Sequence, residues 1–302
     1  MKRHNFSAGP CILPKEVMLK ASEAILDFDN GLSLIEISHR SKPFVDVMEK
    51  ARALALELLG LEGKGYKALF LQGGASTQFL MVALNLLEKR AGYLNTIFGT
   101  QMKSFPDCDI PMVCDMSSDI FSRELDFSKF DLIYAGAQKN MGPAGTTLVV
   151  VREDILGKVS RKIPSMMDYK VHINKSSMFN TPPVFAVYTS MLTMEWLKNL
   201  GGIPAIEKEN NKKAQLIYSE IDLNPLFKGY AMKEDRSKMN ATFNLTNEDL
   251  KETFETMLKD EGINGLNGHR SVGGYRASMY NALPLDSVGV LVDIMSELER
   301  KA

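Results

Sequence analysis

Apolar positions recur along this chain with two periods, one helical and one strand-like. Val17, Met18, Ala21, Ala24, Ile25 and Leu26 follow Pro14 at helical spacing and predict an amphipathic helix over 14–27. The same period through Val47, Met48, Ala51, Leu54, Ala55 and Leu58 predicts a second helix over 44–59, stopped near Gly60. An apolar run at 66–71 reads as a strand, Gly73-Gly74-Ala75-Ser76-Thr77 as a turn, and the stretch to Leu87 as a helix, which together make an α/β unit. Strands are expected again at 110–114, 132–135, 147–151 and 241–245, and helices at 184–200, 206–221, 250–261 and 287–300. Gly201-Gly202 is the best boundary between two domains.

One stretch breaks this alternation. A strand over 91–95 needs a return of about a dozen residues to reach a parallel neighbour, and no helical pattern separates it from the strand expected at 110.

Composition narrows the class. With 302 residues, 45% hydrophobic and 24% charged, the chain has the make-up of a folded globular protein with ample core. Its 36 Lys+Arg against 37 Asp+Glu leave a net charge of −1, which argues against a nucleic-acid surface. No apolar run approaches the ~20 residues of a bilayer span, so no membrane partner and a cytoplasmic location are expected. Cys11, Cys108 and Cys114 have no metal-ligand spacing and read as reduced packing residues; no metal is expected.

The candidate chemistry lies at the ends of the strand patterns, where open parallel sheets carry their ligands. Lys139 stands among Ala and Gly just past a buried strand, a setting in which desolvation frees an amine for Schiff-base formation; a snorkelling loop lysine is the bland alternative. Asp115, at the end of the preceding strand, has the character needed to keep a pyridinium nitrogen protonated, and equally that of a turn or N-cap aspartate. The Gly73–Thr77 turn offers backbone N–H groups and two hydroxyls to an anion, or is an ordinary βα turn. It is neither a dinucleotide fingerprint nor a P-loop. His39-Arg40, His269-Arg270 and Arg276 suit a substrate with several negative charges, against the commoner fate of surface ion pairing.

Six blocks in order then make a specific pattern: Asn5-Phe6-Ser7-Ala8-Gly9-Pro10, Ser38-His39-Arg40-Ser41-Lys42, Gly73-Gly74-Ala75-Ser76-Thr77-Gln78-Phe79, Tyr134 to Gly145 around Ala137-Gln138-Lys139-Asn140, Ser177-Met178-Phe179-Asn180-Thr181-Pro182-Pro183, and Gly268 to Ser278. Nearly end to end, the chain resembles the phosphoserine aminotransferases, a family of class-V, fold-type I enzymes dependent on pyridoxal 5'-phosphate. The resemblance implies an α/β fold. A large domain over 16–200, with a mostly parallel central sheet flanked by helices, would join a smaller α+β domain of 1–15 and 201–302. It makes Lys139 the Schiff-base lysine and Asp115 the partner of the pyridine nitrogen. Gln138 would be a cofactor contact, Thr96 either the family's cofactor-contacting threonine or the residue that precedes its Gly-x-Trp segment, and Ala75 and Ser76 the cradle of the cofactor phosphate. Asn180 and Thr181 would reach the phosphate of a neighbouring subunit in a homodimer with shared active sites. His39, Arg40, His269, Arg270 and Arg276 would bind glutamate and 3-phosphohydroxypyruvate, in serine biosynthesis; a related phosphorylated oxo acid of vitamin B6 synthesis is a further candidate substrate. Cysteine desulfuration and alanine–glyoxylate transamination fit less well, because no cysteine stands in a reactive motif and paired His-Arg elements suit a phosphorylated substrate.

In one respect the chain departs from that pattern. The family continues from its Gly-Gly-Ala-Ser-Thr helix to a Gly-x-Trp segment whose tryptophan stacks on the cofactor ring. Here the single tryptophan is Trp196, far along the chain in an expected helix. About 50 residues, several elements by usual lengths, are absent near Asn95-Thr96. Because losing a crossover from a core sheet is severely destabilising, the expectation is that the encoded polypeptide carries this segment. The alternative is a chain that lacks it, folded as an impaired or catalytically dead dimer.

Overall fold

The computed structural model describes residues 3–94, 98–268 and 273–302. A short strand β1 (His4–Asn5) leads to α1 (Lys15–Leu26), directly behind Pro14, and α2 (Lys42–Leu58), which has Pro43 in its first turn. Of the helical period read in α1, Val17, Ala21 and Ala24 are buried while Met18 and Leu26 are exposed; α2 buries Phe44, Val47, Met48, Ala51, Leu54 and Ala55. Next come β2 (Tyr66–Leu71), α3 (Gly74–Leu86), β3 (Val113–Asp115), β4 (Leu132–Gly136), the single turn α4 (Ala137–Asn140) and β5 (Thr147–Arg152). Among the described residues no helix or strand stands between α3 and β3, so the crossover that the sequence failed to supply is absent from the described fold as well. Helices α5 (Tyr169–Asn174) and α6 (Val184–Asn199) follow, and α6 carries Trp196 and packs on α1 and α2.

Strands β2 to β5 form one sheet in the order β2-β5-β4-β3. β5 is antiparallel to both β2 and β4, while β3 is parallel to β4. Three of the four strands therefore point the same way. The sheet's continuous apolar runs are buried on both faces, as expected for a central α/β sheet. Buried polar groups are tied in: Tyr169 donates its hydroxyl to Gln78 Oε1 at 2.7 Å, and Ser177 Oγ accepts from the Phe70 N–H at 3.1 Å.

The remainder comprises α7 (Gly202–Leu223), β6 (Phe227–Gly229), β7 (Asn240–Leu245), α8 (Lys251–Asp260), β8 (Ile263–Asn264), β9 (Tyr275–Ser278) and α9 (Leu285–Lys301). β6, β7 and β9 make an antiparallel sheet in that order, and β1 pairs with β8 in parallel. Phe227, Phe243, Phe254 and Tyr275 pack ring to ring at 5.1–5.8 Å in its core. The chain divides into two compact units. The larger is Leu13–Tyr93 with Asp107–Ile203; the smaller is Met1–Ile12, Leu94–Pro106 and Pro204–Ala302. Within the smaller unit Gly99 and Gln101 lie against the 235–237 turn, through Ser237 N–H to Gly99 O and Gln101 N–H to Asp235 O, both 2.8 Å.

Candidate active site

The topology of the larger unit collects its chemistry at one edge. Because β2, β3 and β4 run the same way, the Gly73 turn, Asp115 and Lys139 all lie at the carboxyl edge of the sheet. Leu71 of β2 and Gly136 of β4 both pair with Thr147 of the strand between them, so the two strands end level. Two strand spacings put these ends about 10 Å apart.

Lys139 lies in α4, one turn past β4, and is half-buried. Its Nζ donates to Ser118 Oγ at 3.1 Å. The loop after β3 is laced to the same turn: Gly136 N–H donates to Ser117 Oγ at 3.1 Å, Met116 N–H to Tyr134 O at 2.8 Å, and Asn140 Nδ2 to Ile120 O. Asp115 ends β3 opposite Tyr134 and accepts from the Ser117 N–H at 2.9 Å. It is thus the turn aspartate that the sequence allowed, standing at the strand end where a pyridine nitrogen would need it. Burial, and secondarily the Asp115 charge, push the Tyr134 hydroxyl above its ordinary range. Gly136 makes room for Gln138, whose Oε1 would lie 2.7 Å from a Cβ there. Ser117 and Ser118 escaped the sequence reading as site residues. Two hydroxyls after an aspartate were legible only as turn chemistry.

The turn between β2 and α3 is built for close approach. Gly73 (φ +94°) and Gly74 (φ +63°) are left-handed, and a Cβ on Gly73 would fall 2.0 Å from Thr77 Oγ1. No side chain caps α3, so the N–H groups of its first turn, at Ala75 and Ser76, face outward with no acceptor among the described residues. Such a terminus attracts an anion. Gln72 donates through Nε2 to the Thr181 carbonyl at 2.8 Å, which holds Asn180-Thr181 beside this turn while Thr181 itself stays exposed. Phe79 lies 6.3 Å from the Tyr134 ring and 6.1 Å from that of Tyr93.

Of the anion-binding candidates, His39 and Arg40 sit in the turn before α2. Arg40 is exposed, and the buried His39 Nε2 has no partner. Arg276 belongs to the smaller unit, on β9, with its Nε buried and unpartnered. Thr96, His269 and Arg270 lie outside the described residues. No cluster of metal-ligating side chains occurs among the described residues, and no described helix is long and apolar enough to cross a membrane.

The larger unit thus brings a lysine, a carboxylate and an open helix terminus to one edge of an α/β sheet. A family model described as aminotransferase class-V matches residues 92–291. The phosphoserine aminotransferase of Flavobacterium psychrophilum is 61% identical over 355 residues, covering all of both chains, and that of Bacteroides fragilis is 46% identical over 354, covering 99% of each. A solved phosphoserine aminotransferase structure concerned with radiation damage of its Schiff base superposes with a TM-score of 0.94 at 40% identity over the whole of both chains. The phosphoserine aminotransferase from Bacillus circulans subsp. alkalophilus gives 0.93 at 37%, over 99% of each. The chain belongs to the class-V aminotransferases and, within them, to the phosphoserine aminotransferase family. The 355-residue alignment exceeds the chain's 302 residues, so at least 53 of its positions have no residue here. That deficit matches in size the one the motif order places near Asn95.

Proposed function

We propose that this chain catalyses reversible transamination between L-glutamate and 3-phosphohydroxypyruvate, giving 2-oxoglutarate and O-phospho-L-serine, with pyridoxal 5'-phosphate as its cofactor. The observation carrying this reading is the gathering of Lys139, Asp115 and the α3 terminus at one sheet edge, in a chain 61% identical to a curated phosphoserine aminotransferase. The residues fit that cofactor. The glycine turn before α3 leaves N–H groups without acceptors for a phosphate, and the strand end offers a carboxylate beside a half-buried amine.

When bound, the cofactor supplies a carbonyl that condenses with amino groups and a ring that draws electron density from the substrate α-carbon. The Ala75 and Ser76 N–H groups would hold its phosphate. Asp115 would keep the ring nitrogen protonated, and Gln138 would contact the cofactor beside Lys139. Thr96 is assigned to it on the family pattern. The Lys139 amine takes the proton from the substrate α-carbon as general base and returns a proton as general acid. Arg40 and Arg276 bind substrate anions, with His39, His269 and Arg270 supplying further donors for phosphate or side-chain carboxylate; guanidinium groups accept either in similar geometry.

The same reading makes the protein a homodimer in which Asn180 and Thr181 serve the partner's cofactor phosphate. Met18, Leu19, Leu26, Leu32 and Ile35 support it, since they expose apolar surface over α1 and the following loop. A cytoplasmic location accords with the three free cysteines. Competition between oxo acids tests the assignment. Cofactor-loaded protein pre-reacted with glutamate should convert 3-phosphohydroxypyruvate far faster than glyoxylate or hydroxypyruvate; equal rates would remove the phosphate specificity from the reading.

A further inference from the structure

Two buried polar groups of the smaller unit have no hydrogen-bond partners among the described residues and line the same cavity. Thr242 of β7 and Arg276 of β9 are directly opposed in the antiparallel register, which sets their side chains on one face of the sheet. Thr242 is only 6% exposed, and neither its Oγ1 nor the Arg276 Nε has a hydrogen-bond partner among the described residues. Both residues line a cavity with Phe98, Asn244 and Tyr275 whose free space, about 10 Å³, admits one water-sized group. Gly99 packs closely against Thr242, since a Cβ there would lie 2.1 Å from Thr242 Oγ1. The guanidinium N–H can only donate and the hydroxyl can donate as well as accept, so one acceptor oxygen placed between them satisfies both. Leaving two such donors dry is costly, and the arrangement makes sense when that oxygen arrives.

We propose that Thr242 is a substrate-binding residue, its hydroxyl and the Arg276 Nε–H donating to one oxygen of the substrate's α-carboxylate. This rests on the reading of Arg276 as a substrate-anion arginine. The α-carboxylate is the group that glutamate, O-phosphoserine and both oxo acids share, and a cavity for one oxygen suits its flat edge better than a tetrahedral phosphate. A hydrogen bond to a charged group makes the contact stronger than a neutral one.

Steady-state kinetics of the cofactor-loaded enzyme test this with T242V, which removes the hydroxyl at nearly constant shape, and T242S, which keeps it. The proposal predicts KM for both glutamate and O-phosphoserine raised roughly tenfold in T242V, with kcat within about twofold, and recovery in T242S. T242A gives the same reading should the valine variant fail to fold. If T242V leaves both KM values unchanged while R276K raises them, Thr242 holds only a water and the proposal is overturned, with Arg276 keeping its role. If R276K leaves them unchanged, the reading of Arg276 fails and the proposal falls with it.

Discussion

At the residue scale, burial sets the chemistry of groups away from the sheet edge. Lys213 of α7 is 1% exposed, with Nζ donating to the carbonyls of Met279 at 3.0 Å and Tyr280 at 2.9 Å. Burial pushes its amine down to about 7. The unfolded chain holds this proton up to about pH 10.4, so between about 7 and 10 unfolding takes up a proton and the contribution of Lys213 to stability rises with pH. Urea melts of the wild type and K213M should therefore diverge in favour of the wild type from pH 7 to 9; a constant difference would contradict the burial argument. Burial also pushes the Cys11 and Cys114 thiols up to about 12, whereas Cys108 is exposed. Brief alkylation at pH 8 should mark Cys108 first, read by peptide mass, because the thiolate is the reactive form. Lys139, just past a strand, was legible in the sequence because its Ala and Gly neighbours were incongruous. Thr242 and Lys213 were not, since a threonine in a strand and a lysine in a helix are ordinary until the fold buries them.

At the element scale, long periodic segments were readable and short or cross-paired ones were not. The strand expected at 66–71 is β2, and helices α1, α2, α6 and α9 stand within three residues of their apolar patterns. β9 escaped because Arg276 interrupts its apolar run and glycines precede it; its strand character comes from pairing with β7, information that lies more than 30 residues away along the chain, at Asn240↔Ser278 and Phe243↔Tyr275. The strand expected at 110–114 is shorter, Val113–Asp115, because it is held only where β4 pairs with it. Two variants test the elements that position the site. Leu148, fully buried in the central strand β5, should cost about 2–5 kcal/mol when cut to alanine, measured by denaturant unfolding. Gly73→Ala forces a side chain into a left-handed position worth roughly 1–2 kcal/mol of strain and against Thr77. It should shift the start of α3 and speed loss of cofactor on dialysis; unchanged retention would show that the turn does not hold the phosphate.

At the scale of the whole molecule, the motif order carried the family and the function, while the sheet topology explained why the Gly73 turn, Asp115 and Lys139 gather at one edge. The order of strands was not legible: that β5 reverses between β2 and β4, and so aligns the ends of those two strands, follows from hydrogen bonding that no local pattern encodes. The deficit near Asn95 was legible only against the family pattern, and the fold shows its consequence, a connection from α3 to β3 without a described helix or strand. Phe79 and Leu80 on α3 stand exposed. Sedimentation should give about twice the 33.7 kDa of one chain; a monomer would remove the shared active site. The central claim is that this chain holds pyridoxal phosphate on Lys139 and transaminates with it. Borohydride reduction of the cofactor-loaded protein followed by peptide mapping tests it most directly. The account predicts a pyridoxyl group on Lys139, its absence when glutamate is added first, and no turnover in K139A. A folded chain labelled elsewhere or not at all, or a K139A variant that still turns over, would contradict it.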